Sequence, residues 1–372
     1  MLSTSSAGSS NRAVSLIDSQ RRSDRRWWIL LLLGTLALHG CEPRQQVFQH
    51  EALVFGSRAE FSWRAADAEQ SEKALATVLQ HLAKRERDWH VWQPSALTRA
   101  NRACASGQWF TWPAALQVLY DAALPVWRDS DGLFNPAAGR LIAAWGFHHS
   151  PPAAGMQPSA QLLTKWRQKP VGMNDIAFKS DQARCLHPLL QWDFNAIAEG
   201  VASREIAGLL QHQGIEHALI TLGGDVYALG QAKDRAWRVA IRHPEGGAFA
   251  SIDLHDAEAL FTSGSYARFV DSAAGTRLAH VLDPRLGEPV EGQRAVSVLH
   301  RDPAFADAAA TALMAAPDAD FERIARQLRV HCVLRMDDQG HLSVSTALNA
   351  RLQWLMTPNA PITLIELGHD CH

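Results

Sequence analysis

Between residues 45 and 346 the chain alternates short stretches of two-residue hydrophobic period with longer stretches of helical period, and no segment repeats at a fixed interval. Residues 52–63 alternate apolar and polar side chains as a strand does, while 66–87 place apolar residues at helical spacing opposite a charged face. A second amphipathic helix is predicted over 112–128, with Thr111 as N-cap and Pro113 in the first turn. The turn Asp129-Ser130-Asp131-Gly132 then leads to a helical stretch at 137–145. Further on, 191–194 reads as a short strand, 196–212 as a helix ended by Gly214, and 217–222 as an apolar strand running into Gly223-Gly224-Asp225. Strands are predicted at 237–243, 251–254, 259–262, 278–282 and 295–299, and helices at 304–315 and 321–328. The runs 330–335 and 342–346 pair as a hairpin over Asp338-Gln339-Gly340. Without a strict strand–helix–strand repeat, the class is α+β: a mixed β-sheet core flanked by helices. No glycine-rich dinucleotide fingerprint and no P-loop occurs.

The first 41 residues stand apart. Arg21, Arg22, Arg25 and Arg26 precede an apolar run over 27–38 that has the length of a signal-peptide core and is short for a bilayer span. The run ends in Leu38-His39-Gly40-Cys41, which resembles a bacterial lipobox with Cys41 as the lipidated residue; simple signal-peptide cleavage and a single membrane anchor are the alternatives. All three place the mature chain outside the cytoplasm, on the periplasmic side, with a lipid anchor to an inner or outer membrane as the reading taken. Residues 42–372 are then one domain, or two closely packed subdomains meeting near 150–190, where a Pro/Gly/Ala-rich loop interrupts the pattern.

Composition narrows the function classes. A formal net charge of −2 offers no electrostatic footprint for nucleic acid. Cys104, Cys185, Cys332 and Cys371 lack metal-type spacing, and an oxidising compartment permits a disulfide whose partners cannot be read from order alone. The tail His369-Asp370-Cys371-His372 has metal-ligand residue types but reads as a frayed terminus. Many of the 13 Trp fall in the first half, which suits core packing and also a planar ligand.

The sharpest candidate chemistry is the pair Asp307 and Thr311, four apart in Ala-Asp-Ala-Ala-Ala-Thr-Ala-Leu. On a helix both oxygens share one face, one turn apart, and suit a hard cation such as Mg²⁺. The alanines between them let a bulky charged ligand approach, although an ordinary Ala-rich helix has the same look. His280, at a strand end, reads as a proton acceptor near neutral pH or as a structural partner of Asp283. Asp193 precedes a helix and reads as a nucleotide contact or a cap, and Gly223-Gly224 as a ligand turn or a plain tight turn.

Seven segments in order resemble the FAD:protein FMN transferases, the ApbE-like flavin transferase family. They are Val54-Phe55-Gly56-Ser57, the run from Trp92 to Asn101, Gly132-Leu133-Phe134-Asn135-Pro136 with Trp145-Gly146-Phe147, Asp193 to Gly200, Gly223-Gly224-Asp225, Thr262 to Tyr266 with His280 to Gly287, and Ala306 to Ala312. The resemblance spans about Val54 to Arg335 and implies the ApbE-like flavin transferase fold. It implies an exported enzyme that splits FAD and attaches the FMN half to a Thr or Ser hydroxyl of a partner redox protein, releasing AMP. By resemblance, Mg²⁺ is held by Asp307, Thr311 and the backbone carbonyl of Ala196, and His280 is the base. Phe55, Trp92, Phe134, Asn135, Pro136, Asp193, Glu199 and Val281 would contact FAD. Three departures bear on that site: Glu199 where the family has Lys, Asn135 where it has an acid, and Ser265 where Asp is frequent. Glu199 turns to solvent, recruits a second cation, or pairs with an Arg such as Arg204. The competing readings are an exported FAD carrier without transfer activity and an FAD pyrophosphatase.

Overall fold

Two faces of one sheet decide where everything else packs. In a computed structural model the chain is described over residues 45–149, 152–153, 155–265, 269–271, 277–356 and 361–371. The signal segment, Cys41 included, lies outside the described residues. Nine strands follow one another across the sheet in chain order: β1 (Gln46–Val54), β2 (Ser57–Ala65), β3 (Ala218–Leu222), β4 (Asp225–Leu229), β5 (Glu258–Gly264), β6 (Gln293–His300), β7 (Val333–Asp337), β8 (Leu342–Ser345) and β9 (Thr363–Ile365). Neighbours are antiparallel except β8 and β9, which run parallel.

Period-two alternation gives the sheet a core on each side. Ile220, Tyr227, Phe261, Val296 and Val298 face the helices, in the larger core. Ala228, Leu260, Leu299, Leu334 and Val344 face the other way, onto a second sheet of Trp237–Arg242, Ala248–Leu254 and Leu352–Trp354. Residues 46–372 cluster as one compact unit.

The helices form where caps and apolar stripes coincide. α1 (Ala68–Trp89) starts at Asp67, whose side chain accepts the Gln70 N–H, and α2 (Ala96–Ser106) starts at a Ser95/Thr98 capping box. α3 (Ala114–Asp129) begins at Pro113 without a side-chain cap; Thr111, expected as the cap, belongs instead to the short strand Phe110–Thr111. α4 (Asn195–His212) and α5 (Pro303–Met314) are buried almost all round, and α6 (Asp318–Gln327) is amphipathic at the edge. The alanines of α5 are core residues, with Ala308, Ala309, Ala310 and Ala312 fully buried. They serve close helix and sheet packing rather than access for a ligand.

Three strand expectations are corrected. The run 52–63 is a hairpin, turned at Phe55-Gly56, where both residues have positive φ (53° and 74°) as a two-residue primed turn requires. The run 278–282 is broken, with Arg277–Ala279 and Leu282–Asp283 separated by a bend at His280. At 191–194 only an isolated bridge forms, between Gln191 and Ala138. Two disulfides, Cys104–Cys185 and Cys332–Cys371, use all four cysteines of the described residues. The second ties the tail to the base of β7, so the expected fraying does not occur at Cys371.

Candidate active site

The site is built where α4 and α5 cross. A Cβ at Gly200 would lie 2.4 Å from the Pro303 carbonyl oxygen and 2.7 Å from Ala304 Cα, so only glycine allows this approach. Closeness puts Asp307 beside the α4 backbone. The Gly200 N–H, which in a regular helix donates to the carbonyl of Ala196, donates to Asp307 Oδ2 at 2.9 Å. Ala196 itself leaves helical geometry, with ψ at 17°, which swings its carbonyl off the helical ladder. One turn beyond Asp307, Thr311 Oγ1 meets Ser263 Oγ of β5 at 2.9 Å. The predicted trio of Ala196, Asp307 and Thr311 thus belongs to one helix crossing.

Two further carboxylates join it. Glu199, on α4, reaches the β3–β4 turn, and a Cβ at Gly223 would lie 2.8 Å from its Oε2. Asp225, at the start of β4, accepts the Thr262 N–H at 2.7 Å. Burial pushes the Glu199 carboxyl up to about 7. Burial and then the Glu199 charge raise Asp307, against the relief of the Gly200 N–H. Asp225 is raised by burial first, then by Asp307 and Glu199. Glu199 therefore does not turn to solvent, and Arg204 pairs with Asp302 at 3.2 Å rather than with Glu199.

This donor set fits a hard cation. Among the described residues no group of three or more His, Cys, Asp and Glu side chains is arranged to hold one metal ion. An ion here would have to draw instead on Asp307, on the Thr311 hydroxyl and on the Ala196 carbonyl, an all-oxygen set of the kind Mg²⁺ prefers. Mutually repelling carboxylates in a buried site are also stabilised by positive charge. Asp225 and Ser263 lie in segments that the sequence singles out but received no individual role there. The only sequence signals for them were an acid closing a Gly-Gly turn and a serine inside the Thr262-Ser263-Gly264 run.

The aromatic candidates separate. Trp92 is 38% exposed, its ring 6.0 Å from His148 and edge-on to His90 at 4.7 Å. Phe55 stacks on Trp89, 6.1 Å between centroids. Phe134 is 2% exposed and packs in the core. The Asn135 side chain links its own turn to a distant loop, donating to the Val171 carbonyl at 2.7 Å and accepting the Ala137 N–H at 3.0 Å. The Pro136 carbonyl accepts the Asp193 N–H. Asp193 is 5% exposed; Oδ1 accepts the Asn195 N–H at 2.9 Å and Oδ2 bonds His148 Nε2 at 2.8 Å. Val281 is buried, its carbonyl taken by the Val290 N–H. His280 lies at the bend, with the Phe147 ring edge-on at 6.3 Å. Asp283, its sequence-predicted structural partner, is held by Arg285 at 2.7 Å.

The ApbE family model matches residues 55–334, which takes in the helix crossing and the aromatic candidates. The chain belongs to the ApbE family. A FAD:protein FMN transferase of Rhodobacter capsulatus is 37% identical over 359 residues, 95% of this chain and 68% of that protein. One of Escherichia coli K12 is 27% identical over 330 residues, 83% and 93% of the two chains. The fold of this ApbE-family chain is shared with the flavin transferase ApbE from Vibrio cholerae (TM-score 0.70, 23% identity, 82% of this chain and 99% of that one). It is shared too with the apo flavinyl transferase ApbE of Pseudomonas stutzeri (TM-score 0.72, 24% identity, 82% and 97%).

Proposed function

We propose that this ApbE-family protein is a FAD:protein FMN transferase that moves FMN from FAD to a Thr or Ser hydroxyl of an exported redox protein in a Mg²⁺-dependent reaction that releases AMP. The observation that carries the reading is the Gly200–Asp307 contact, which brings the helix of Asp307 and Thr311 against the α4 segment that starts with the non-helical Ala196. Oxygens of those three residues would hold the cation. When bound, it supplies charge neutralisation at a pyrophosphate.

The chain's own residues supply the rest. His280 accepts the proton of the acceptor hydroxyl. The hydroxyl oxygen then bonds to the phosphorus of the FMN half, the bridging P–O bond breaks, and AMP leaves with its phosphate. Thr311 is oriented by Ser263, and Gly200 holds one oxygen of Asp307, so the other is directed by the same geometry. Trp92, 38% exposed, would stack on a flat ring of FAD. Export with a lipid anchor at Cys41 completes the proposal, supported by the signal-like N-terminus and by two disulfides that suit an oxidising compartment.

One incubation tests it: purified protein, FAD and Mg²⁺, with and without an exported flavoprotein subunit as acceptor. A fluorescent acceptor band with stoichiometric AMP is the expected result. AMP with free FMN, independent of acceptor, would mean a pyrophosphatase; tight FAD binding without AMP would mean a carrier.

A further inference from the structure

His148 takes no part in the chemistry above, yet it is buried and held by Asp193. It is 8% exposed, and its Nε2 is 2.8 Å from Asp193 Oδ2. Asp193 is in turn fixed by two backbone bonds, accepting the Asn195 N–H and donating its own N–H to the Pro136 carbonyl. The contact ties one edge of the buried imidazole to a carboxylate that is itself fixed to the backbone. That ring lies 6.0 Å from Trp92 at 33°. Its chain neighbour Phe147 packs edge-on to His280. Trp145, two residues earlier, donates from Nε1 to the Gly287 carbonyl at 2.9 Å. One turn therefore couples the start of α4, the loop of His280 and the indole of Trp92.

We propose that His148, oriented by Asp193, is a positioning residue for substrate: it sets the plane in which Trp92 stacks on a flat heteroaromatic ring of the dinucleotide. The Asp193 carboxylate then acts through His148, because both of its oxygens are engaged within the protein. A partly exposed indole is worth most to a planar ligand when its rotation is restrained, since the ordering cost is met before binding. Two imidazoles, His148 and His90, brace this one. The inference rests on the flavin-nucleotide reading of the site, and FAD has two such rings.

The test compares His148→Gln, His148→Ala, Trp92→Ala and the His148→Gln/Trp92→Ala double variant, titrated with FAD, FMN and AMP in Mg²⁺ and assayed for KM and kcat. Glutamine keeps a donor for Asp193 but not the ring, so its melting temperature should stay near wild type even where alanine destabilises. The expected result is a roughly tenfold rise in KM and Kd for FAD with His148→Gln, with kcat falling much less. The double variant should bind no more weakly than Trp92→Ala, because His148 acts through that ring. Weakened FMN binding with AMP unchanged assigns the isoalloxazine to Trp92; the converse assigns the adenine. Unchanged FAD affinity in His148→Gln, or additive losses in the double variant, overturns the proposal. Wild-type protein that binds no FAD overturns the flavin reading as well, so the two failures are distinct.

Discussion

The Gly200 N–H bonds Asp307 Oδ2 at 2.9 Å across two helices, four residues after Ala196 leaves helical geometry. A missing side chain thus lets the Asp307 carboxylate reach the α4 backbone.

Gly200→Ala is the direct probe of that contact. The added methyl would press on the backbone of Pro303 and Ala304, which cannot swing aside. Overpacking of this kind costs about 1–3 kcal/mol. The melting temperature should fall, and Mg²⁺-dependent AMP release should fall further than stability does. A variant with wild-type stability and turnover would show that the crossing tolerates a Cβ.

Asp307→Asn removes charge while keeping an oxygen for the Gly200 N–H. Turnover should drop by about a hundredfold or more, as for loss of a metal ligand, and calorimetric Mg²⁺ binding should vanish. The metal-free fold should be no less stable, because the carboxyl is buried beside Glu199 and Asp225. Full Mg²⁺-dependent activity in this variant would falsify the assignment.

Glu199 gives the metal-free protein a pH dependence with a definite sign. Its folded carboxyl titrates near 7, above the unfolded value of 4.5. Below the unfolded value both states are protonated and the group contributes its full share. As pH rises through 4.5 to about 7 the unfolded state ionises first, so stability falls, by at most about 3.5 kcal/mol and less where solvent screens the open side. Glu199→Gln should be more stable than wild type at pH 8 and indistinguishable at pH 4, read from denaturant midpoints. Parallel curves for the two proteins would remove Glu199 from the cause. Saturating Mg²⁺ should shrink the difference, since a nearby cation favours the carboxylate.

Cys41→Ala probes the anchor. If lipid at Cys41 holds the protein, the variant should appear in the soluble periplasmic fraction after signal cleavage. An uncleaved chain that stays with the membrane would instead identify residues 27–38 as a span.

What the sequence determined by itself was the local order: helices over 68–89, 195–212 and 303–314 within one to two residues of their predicted ends, the hairpin of β7 and β8, and the Asp307–Thr311 spacing. Those follow from period and turn chemistry, which act over a few residues. The long-range motifs also marked the family, because they recur in fixed order. Tertiary structure alone decided the rest. The hairpin at Phe55-Gly56 was hidden because alternation continues unbroken through a two-residue turn. The disulfide partners depend on which surfaces dock, not on spacing. The placement of Glu199 against Gly223, the capture of Asp193 by His148 and the grouping of Asp225 with Asp307 join residues 24, 45 and 82 positions apart. A charge's environment is set by what folds around it, and no local pattern encodes that.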